Sequence, residues 1–250
     1  PFDLPLSTLG GAVQYGGENE LVIRVTDQST DIGSETIPIK QTPAGFLQDT
    51  IGINYAGIWG DVSLVTKGAV YSDHLYVDTD IENGVATLSA TVYNPTDTER
   101  TLQVAGSVTQ KTGEANGANE TSLTLAPGAE QTVSIPVALN ECTLWQIDNP
   151  HLYTASLTIS GSGVTADTLS TDFGMRRIER NGNKIVFNGE NIFLTGWITW
   201  MVDWDTIAPS PSVEQTEQRV RELKEAGFNA IKFCLVVPPD YVLDICDRMG

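Results

Sequence analysis

Apolar and polar residues alternate with a period of two through most of the first two thirds of the chain, and Gly, Asn, Asp and Pro interrupt the alternation at short intervals. Residues 20–25 and 85–92 are the clearest such runs. Further strands are expected at 101–109, 121–125, 130–137 and 152–159, divided by turn clusters at 112–117 and 126–128. The turn residues supply positive or fixed φ, so they stop strands mechanically and not merely by polarity. Several short strands within about 100 residues suit an immunoglobulin-like sandwich.

After about residue 172 the pattern changes. Residues 185–194 read as a hairpin through Asn188-Gly189, a dipeptide whose left-handed turn matches strand twist. A helix is then expected from Ser212: Gln215 three positions on completes a capping box, Val213, Val220 and Leu223 keep helical spacing, and Gly227 stands where a left-handed cap belongs. The largely apolar stretch 229–235 reads as a strand, and 241–247, after Pro238-Pro239, as another helix. Strand, helix, strand, helix is the opening of a parallel α/β unit.

Charge narrows the partners. With 14 Lys+Arg against 32 Asp+Glu the formal net charge is -18. Such a field repels phosphate backbones and anionic headgroups, so neither nucleic acid nor a membrane surface is expected as a partner. No apolar run approaches the roughly 20 residues that span a bilayer, and residues 1–5 lack the form of a signal peptide. The N-terminus is expected to be incomplete or processed. Cys142, Cys234 and Cys246 show no metal-ligand spacing and are expected as ordinary buried thiols. His74 and His151 lie far apart in predicted β-regions, which favours packing or surface roles over metal binding. Asn119-Glu120-Thr121 fits a short glycosylation pattern.

Taken in order, several segments resemble the central part of family 2 glycoside hydrolases. Residues 1–4 leading into 17–25, and Gly57-Ile58-Trp59-Gly60-Asp61, are similar to the late strands and closing segment of that family's jelly roll. Gly60 stands where the family usually has Arg. Leu144-Trp145 with Asn149-Pro150-His151-Leu152-Tyr153 is similar to the late strand motif of its sandwich. Phe173-Gly174-Met175-Arg176-Arg177 resembles the bridge into its barrel, residues 188–196 its first barrel strand, and 224–232 with 246–250 the elements that follow.

The resemblance implies a mainly β chain: the end of a jelly-roll sandwich (1–67), an immunoglobulin-like β-sandwich (68–172), then a linker and the start of a (β/α)8 TIM barrel (173–250). It implies a retaining exo-β-glycosidase acting on carbohydrate; no cofactor is expected, no metal-ligating residue is assigned, and metal dependence is left open. Its two carboxylates, roughly 5 Å apart in retaining enzymes, are expected on later strands beyond Gly250, so no catalytic residue is assigned here. Barrel sites lie at the carboxyl ends of strands, which makes Trp197, Trp200, Asp203, Trp204 and Asp205 the expected sugar-contacting set: aromatic faces stack on sugar C–H surfaces and carboxylates accept from hydroxyls. Packing of the barrel rim by these tryptophans is the competing reading. Asp203 and Asp205, two apart in one loop, are not expected to flank a glycosidic bond.

Elsewhere, Phe233-Cys234-Leu235-Val236-Val237 replaces the Ser-His-Tyr-Pro of a well-known family version, arguing against direct transfer of β-galactosidase or β-glucuronidase specificity. Trp59 and Trp145 are expected as core anchors, and Arg176 and Arg177 as bridges from sandwich to barrel through carboxylates. A secreted or periplasmic location is expected, with a cytoplasmic one and homo-oligomer formation left open. The rival class is a non-catalytic carbohydrate-binding or adhesion module, and a family member lacking its glutamates is a third.

Overall fold

The computed structural model describes residues 6, 13, 14, 16–24, 58, 62–199, 211–234 and 237–250. These fall in two compact units, Pro1–Val62 and Ser63–Gly250. In the first unit, residues 20–24 are exposed and form no strand, contrary to the alternation that predicted one. Their pattern has no paired partner strand among the described residues. The segment around Trp59 and Gly60 lies outside the described residues.

The second unit is mainly β. Its first seven strands are β1 (Tyr71–Asp80), β2 (Val85–Tyr93), β3 (Arg100–Gln110), β4 (Ala115–Leu125), β5 (Glu130–Ala138), β6 (Tyr153–Gly161) and β7 (Val164–Phe173). They form two antiparallel sheets, β1-β2-β5 and β4-β3-β6-β7, that enclose one core in an immunoglobulin-like sandwich. Period-two alternation sends Ala86, Leu88, Ala90 and Val92 of β2 inward against Tyr153, Ala155, Leu157 and Ile159 of β6, all at most 1% exposed. Each fully buried Val, Leu or Ile contributes about 1.5–3 kcal/mol of transfer free energy.

Two polar side chains fasten the sandwich ends. Asn94, 1% exposed, donates from Nδ2 to the carbonyls of Thr98, Leu125 and Ala126, while its Oδ1 accepts from the backbone and hydroxyl of Thr96. Tyr153 is fully buried, and its hydroxyl accepts from the Thr143 amide at 2.7 Å and donates to the Glu141 carbonyl at 3.2 Å. A tyrosine at the start of a sandwich strand that bonds to upstream backbone resembles the tyrosine corner of immunoglobulin-like domains.

Three strands differ from expectation: β7, over which no strand was foreseen, β4 and β1. β4 begins at Ala115, inside the expected turn 112–117, because buried Asn116 exchanges hydrogen bonds with the Glu141 backbone and holds the segment in the sheet. β1 carries a bulge between Asp73 and Tyr76, with His74 at φ 59°, which shifts the phase of its alternation.

Beyond the sandwich, β8 (Ile178–Asn181), β9 (Lys184–Phe187) and β10 (Glu190–Ile192) form an antiparallel meander whose second turn places Asn188 at φ 50° and Gly189 at φ 88°, as the dipeptide predicts. β11 (Gly196–Thr199) and β12 (Ala230–Phe233) pair in parallel and are joined through helix α1 (Val213–Glu225); α2 (Asp240–Met249) follows. Residues 188–196, expected as one strand, are thus a turn, β10 and a connection. The strand that pairs in parallel starts at Gly196, so Trp197 lies within it.

Helix α1 has both expected ends. Ser212 Oγ accepts from the Gln215 amide at 3.2 Å, and Gln215 Oε1 accepts from the Ser212 amide at 2.7 Å. At the other end the Gly227 amide donates to Lys224 O and the Phe228 amide to Leu223 O, the paired bonds of a Schellman motif.

Replacing Asn94 by Ala leaves three carbonyls without their donor. The expected loss is roughly 2–4 kcal/mol, read as a lower urea midpoint with an unchanged slope.

Candidate functional site

The parallel pair is held at its amino end by Asn229. Its Oδ1 accepts from the Thr195 amide at 2.8 Å, its Nδ2 donates to Phe193 O at 2.9 Å, and its own amide donates to Thr195 O at 3.0 Å. The strands then run in register from Gly196 opposite Ala230 to Thr199 opposite Phe233, and the Cys234 amide donates to Thr199 O at 2.8 Å. Their carboxyl ends therefore lie side by side, the position at which open and closed parallel sheets bind ligands.

Of the expected sugar-contacting residues, Trp197 is described: it is half-buried, with the Arg219 guanidinium of α1 5.7 Å from its ring centroid. Trp197 thus faces the helix layer, whereas Ile198 and Lys232, opposite each other on the other face, are exposed. Trp200, Asp203, Trp204 and Asp205 lie outside the described residues. Neither β11 nor β12 carries an Asp or Glu, so these two strands offer no carboxylate to a glycosidic bond.

A second constellation, foreseen only in Trp145 as a core anchor and Arg176 as a bridge, joins the sandwich to the βα unit. Trp145, 6% exposed, donates from Nε1 to the Asp247 carbonyl at 2.7 Å. Its amide donates to Met175 O at 2.9 Å and its carbonyl accepts from Asn188 Nδ2 at 2.9 Å. Phe187 meets its ring edge-on at 5.9 Å, and the Arg176 guanidinium stands 4.9 Å from the ring centroid. Arg176 also reaches Asp247 Oδ1 at 3.3 Å, and Lys224 Nζ donates to the carbonyls of Ile147 at 2.5 Å and Gly250 at 2.8 Å. A Cβ on Gly174 would lie 2.6 Å from Trp145 Cβ, so only glycine lets the chain pass there.

Arg176 makes the expected bridge. Arg177 instead turns to Glu82, at 2.9 Å in the β1–β2 turn, and to Glu179 at 3.0 Å. His151 bonds Gln110 Oε1 at 3.2 Å and packs on Tyr153, a packing role. All three cysteines are free; Cys142 is exposed and Cys234 and Cys246 are half-buried, so none is the fully buried thiol expected. Among the described residues no group of His, Cys, Asp or Glu is arranged to hold a metal ion.

Two shallow grooves flank the joint. One, of about 410 Å³, lies between Thr154, Asp172, Asp244, Asp247 and Arg248; the other, of about 490 Å³, runs beside Tyr76, Asp78, Arg176 and Arg177. Burial pushes the Asp247 carboxyl up, an effect that Arg176 offsets only in part and that Asp244 and Asp172 reinforce. Burial also raises Asp172, but hydrogen bonds from Lys111 at 2.6 Å and Thr154 at 2.8 Å outweigh it and hold that carboxyl low.

The sandwich thus packs through Trp145 onto the parallel βαβ unit. Residues 70–176 match the family model described as glycosyl hydrolases family 2. It is 26% identical over 200 residues to a β-galactosidase, BoGH2A, of Bacteroides ovatus, covering 78% of this chain and 23% of that protein. It is 27% identical over 214 residues to an exo-β-D-glucosaminidase of Hypocrea jecorina, covering 79% of this chain and 23% of the relative. The chain thus spans about a quarter of the length of these relatives. Among solved structures, a family 2 glycosyl hydrolase of Bacteroides cellulosilyticus matches with TM-score 0.66 at 20% identity, over 73% of this chain and 26% of the other. A β-glucuronidase of Bacteroides uniformis matches with TM-score 0.62 at 20% identity, over 73% and 23%.

Replacing Gly174 by Ala forces Cβ into Trp145. A loss of roughly 1–3 kcal/mol is expected in thermal or urea unfolding. The two aspartates carry opposite pH signatures. The contribution of Asp247 is full below the unfolded carboxyl value of 3.8 and fades as pH rises through its higher folded value; that of Asp172 is full above 3.8 and fades as pH falls through its lower folded value. Urea midpoints between pH 3 and 7 should therefore separate the variants. Asp247→Asn flattens the decline just above the usual carboxyl range without loss at neutral pH, and Asp172→Asn, half-exposed, loses less than about 1 kcal/mol at neutral pH only.

Proposed function

We propose that the chain is part of a retaining exo-β-glycosidase that removes terminal β-linked sugars from oligosaccharides or glycoconjugates. The observation that carries this reading is the parallel β11–α1–β12 unit joined directly to the family 2 sandwich. A βα unit has no place in a purely adhesive array of sandwiches. It is the opening of a (β/α)8 barrel, whose later strands supply one glutamate to protonate the leaving oxygen and another to attack the anomeric carbon. The 250 residues by themselves are expected to be inactive.

The segment with Trp200, Asp203, Trp204 and Asp205 follows β11 in the sequence and, in this proposal, forms part of the mouth of that barrel. In this reading Trp197 anchors the segment against α1, and the later residues meet sugar. The relatives include proteins named for galactosides, glucosaminides and glucuronides, which supports a substrate class of β-linked hexoses and their derivatives. A secreted or periplasmic site of action accords with such substrates and with the strongly acidic surface.

The test is hydrolysis of a panel of aryl β-glycosides by the full-length polypeptide and by residues 1–250 side by side. Turnover with retained anomeric configuration by the full-length protein alone is expected, and the panel names the sugar. Silence from both contradicts the hydrolase reading and favours a binding module, whereas turnover by residues 1–250 contradicts the placement of the glutamates.

A further inference from the structure

We propose that Asn181 is a site of spontaneous covalent modification in the folded protein, converting to aspartate and isoaspartate, and that the seam around Trp145 keeps the same dipeptide at Asn188-Gly189 from reacting. Asparagine followed by glycine is the pair in which this chemistry is easiest, because glycine has no Cβ to shield its nitrogen and no restriction on φ. The chain has four such pairs, at 83–84, 116–117, 181–182 and 188–189. In the reaction the Gly182 amide gives its proton to water and its nitrogen attacks Asn181 Cγ. As the N–Cγ bond forms, the Cγ–Nδ2 bond breaks, and Nδ2 leaves with a proton as ammonia. One water then opens the cyclic imide at either carbonyl, giving aspartate or isoaspartate. Water is the sole co-reactant, so the reaction is independent of the hydrolase reading above.

Ring closure requires the carboxamide to turn back on its own main chain, and a hydrogen bond to either of its polar atoms opposes that turn. Asn116 is 2% exposed, and its Nδ2 and Oδ1 are bound to the Glu141 carbonyl at 2.8 Å and the Glu141 amide at 2.9 Å. Asn188 is held at both atoms as well, Nδ2 donating to Trp145 O at 2.9 Å and Oδ1 accepting from the Arg177 amide at 2.9 Å. Asn83 is exposed, but its Nδ2 donates to Asp80 Oδ2 at 2.6 Å, and the charge of that carboxylate opposes loss of a nearby amide proton. Asn181, by contrast, makes no side-chain hydrogen bond among the described residues. It stands exposed beside Gly182 at the two-residue turn between β8 and β9, paired with Lys184, and Gly182 has φ 61°. Arg180 donates from Nε to Gly182 O at 2.8 Å, so a guanidinium lies beside the amide that must lose its proton and favours the anion.

The two meander turns therefore have opposite fates. Isoaspartate at 181 routes the backbone through the side chain and lengthens a turn whose register β8 and β9 share, and either product adds a negative charge between Arg180 and Lys184. At 188 the same conversion would replace the donor that meets Trp145 O by a carboxylate oxygen, leaving two acceptors face to face. Asn188 thus reacts only from states in which the seam is open, and once converted it opposes closing.

Incubation of the full-length polypeptide in mildly alkaline buffer, native and in urea, followed by peptide mapping with mass spectrometry and enzymatic methylation of isoaspartate, tests the assignment. The quantity read at each pair is the native rate against the rate in urea. Asn181 should react in the native protein at close to its rate in urea, Asn83 several-fold more slowly, and Asn116 and Asn188 roughly tenfold more slowly or beyond, since they wait for local opening. Arg180→Gln should slow Asn181 and leave the other three unchanged. Trp145→Phe, which loses the Nε1 bond to Asp247, should speed Asn188 several-fold with Asn116 unchanged. An Asn181 protected as strongly as Asn188 in the native parent, or an Asn188 that reacts there as fast as Asn181, overturns the proposal without recourse to any variant; an unaltered Asn188 rate in Trp145→Phe overturns the part given to the seam.

Discussion

The burial of Trp145 at the seam between two kinds of architecture is the constraint on which the rest of the structure depends. Its indole is too large to leave in water and too polar at Nε1 to bury without an acceptor, and the Asp247 carbonyl at the end of α2 meets that need. Around it each neighbour is fixed in turn: Gly174 by the space the ring leaves, Phe187 by its edge contact, Arg176 by stacking and by Asp247. Sandwich, meander and helix therefore share one cluster.

The cluster also explains why a strongly acidic protein places two cations here. Arg176 and Lys224 both point into the seam, the first onto a ring and a carboxylate, the second onto two carbonyls. Neither bridge is deeply buried, so each contributes direction more than energy. What they direct is the approach of α2 to the sandwich and, through α1 and β12, the placement of the strand ends where sugar chemistry is proposed.

Much of the fold was legible because its punctuation is local. Asn188-Gly189, the Ser212–Gln215 box and Gly227 act through backbone geometry that a few residues determine, and each behaves as its sequence predicts. The strands with clean alternation, such as β2, β5 and β6, were visible for the same reason. The elements that were not legible depend on distant partners. β1 hides its phase behind a bulge at His74, β4 starts among turn-like residues because Asn116 is held by Glu141, and β11 is set by its pairing with β12 thirty-odd residues away. The site was readable only in part. Trp197 announced itself as an aromatic near a strand end, yet its facing toward Arg219 depends on register. Asn229, which fastens the amino ends of the parallel pair, looked like an ordinary residue before an apolar run.

Native-state hydrogen exchange on the chain and on a Trp145→Ala variant tests most directly whether this indole makes the sandwich and the βα unit one cooperative body. Amides of β6, β12 and α2 are expected to exchange with a common opening free energy in the parent chain, and the variant to release β12 and α2 while β2 and β6 keep most of their protection. Separate opening of the two parts in the parent chain, or uniform loss of protection across every element in the variant, would contradict it.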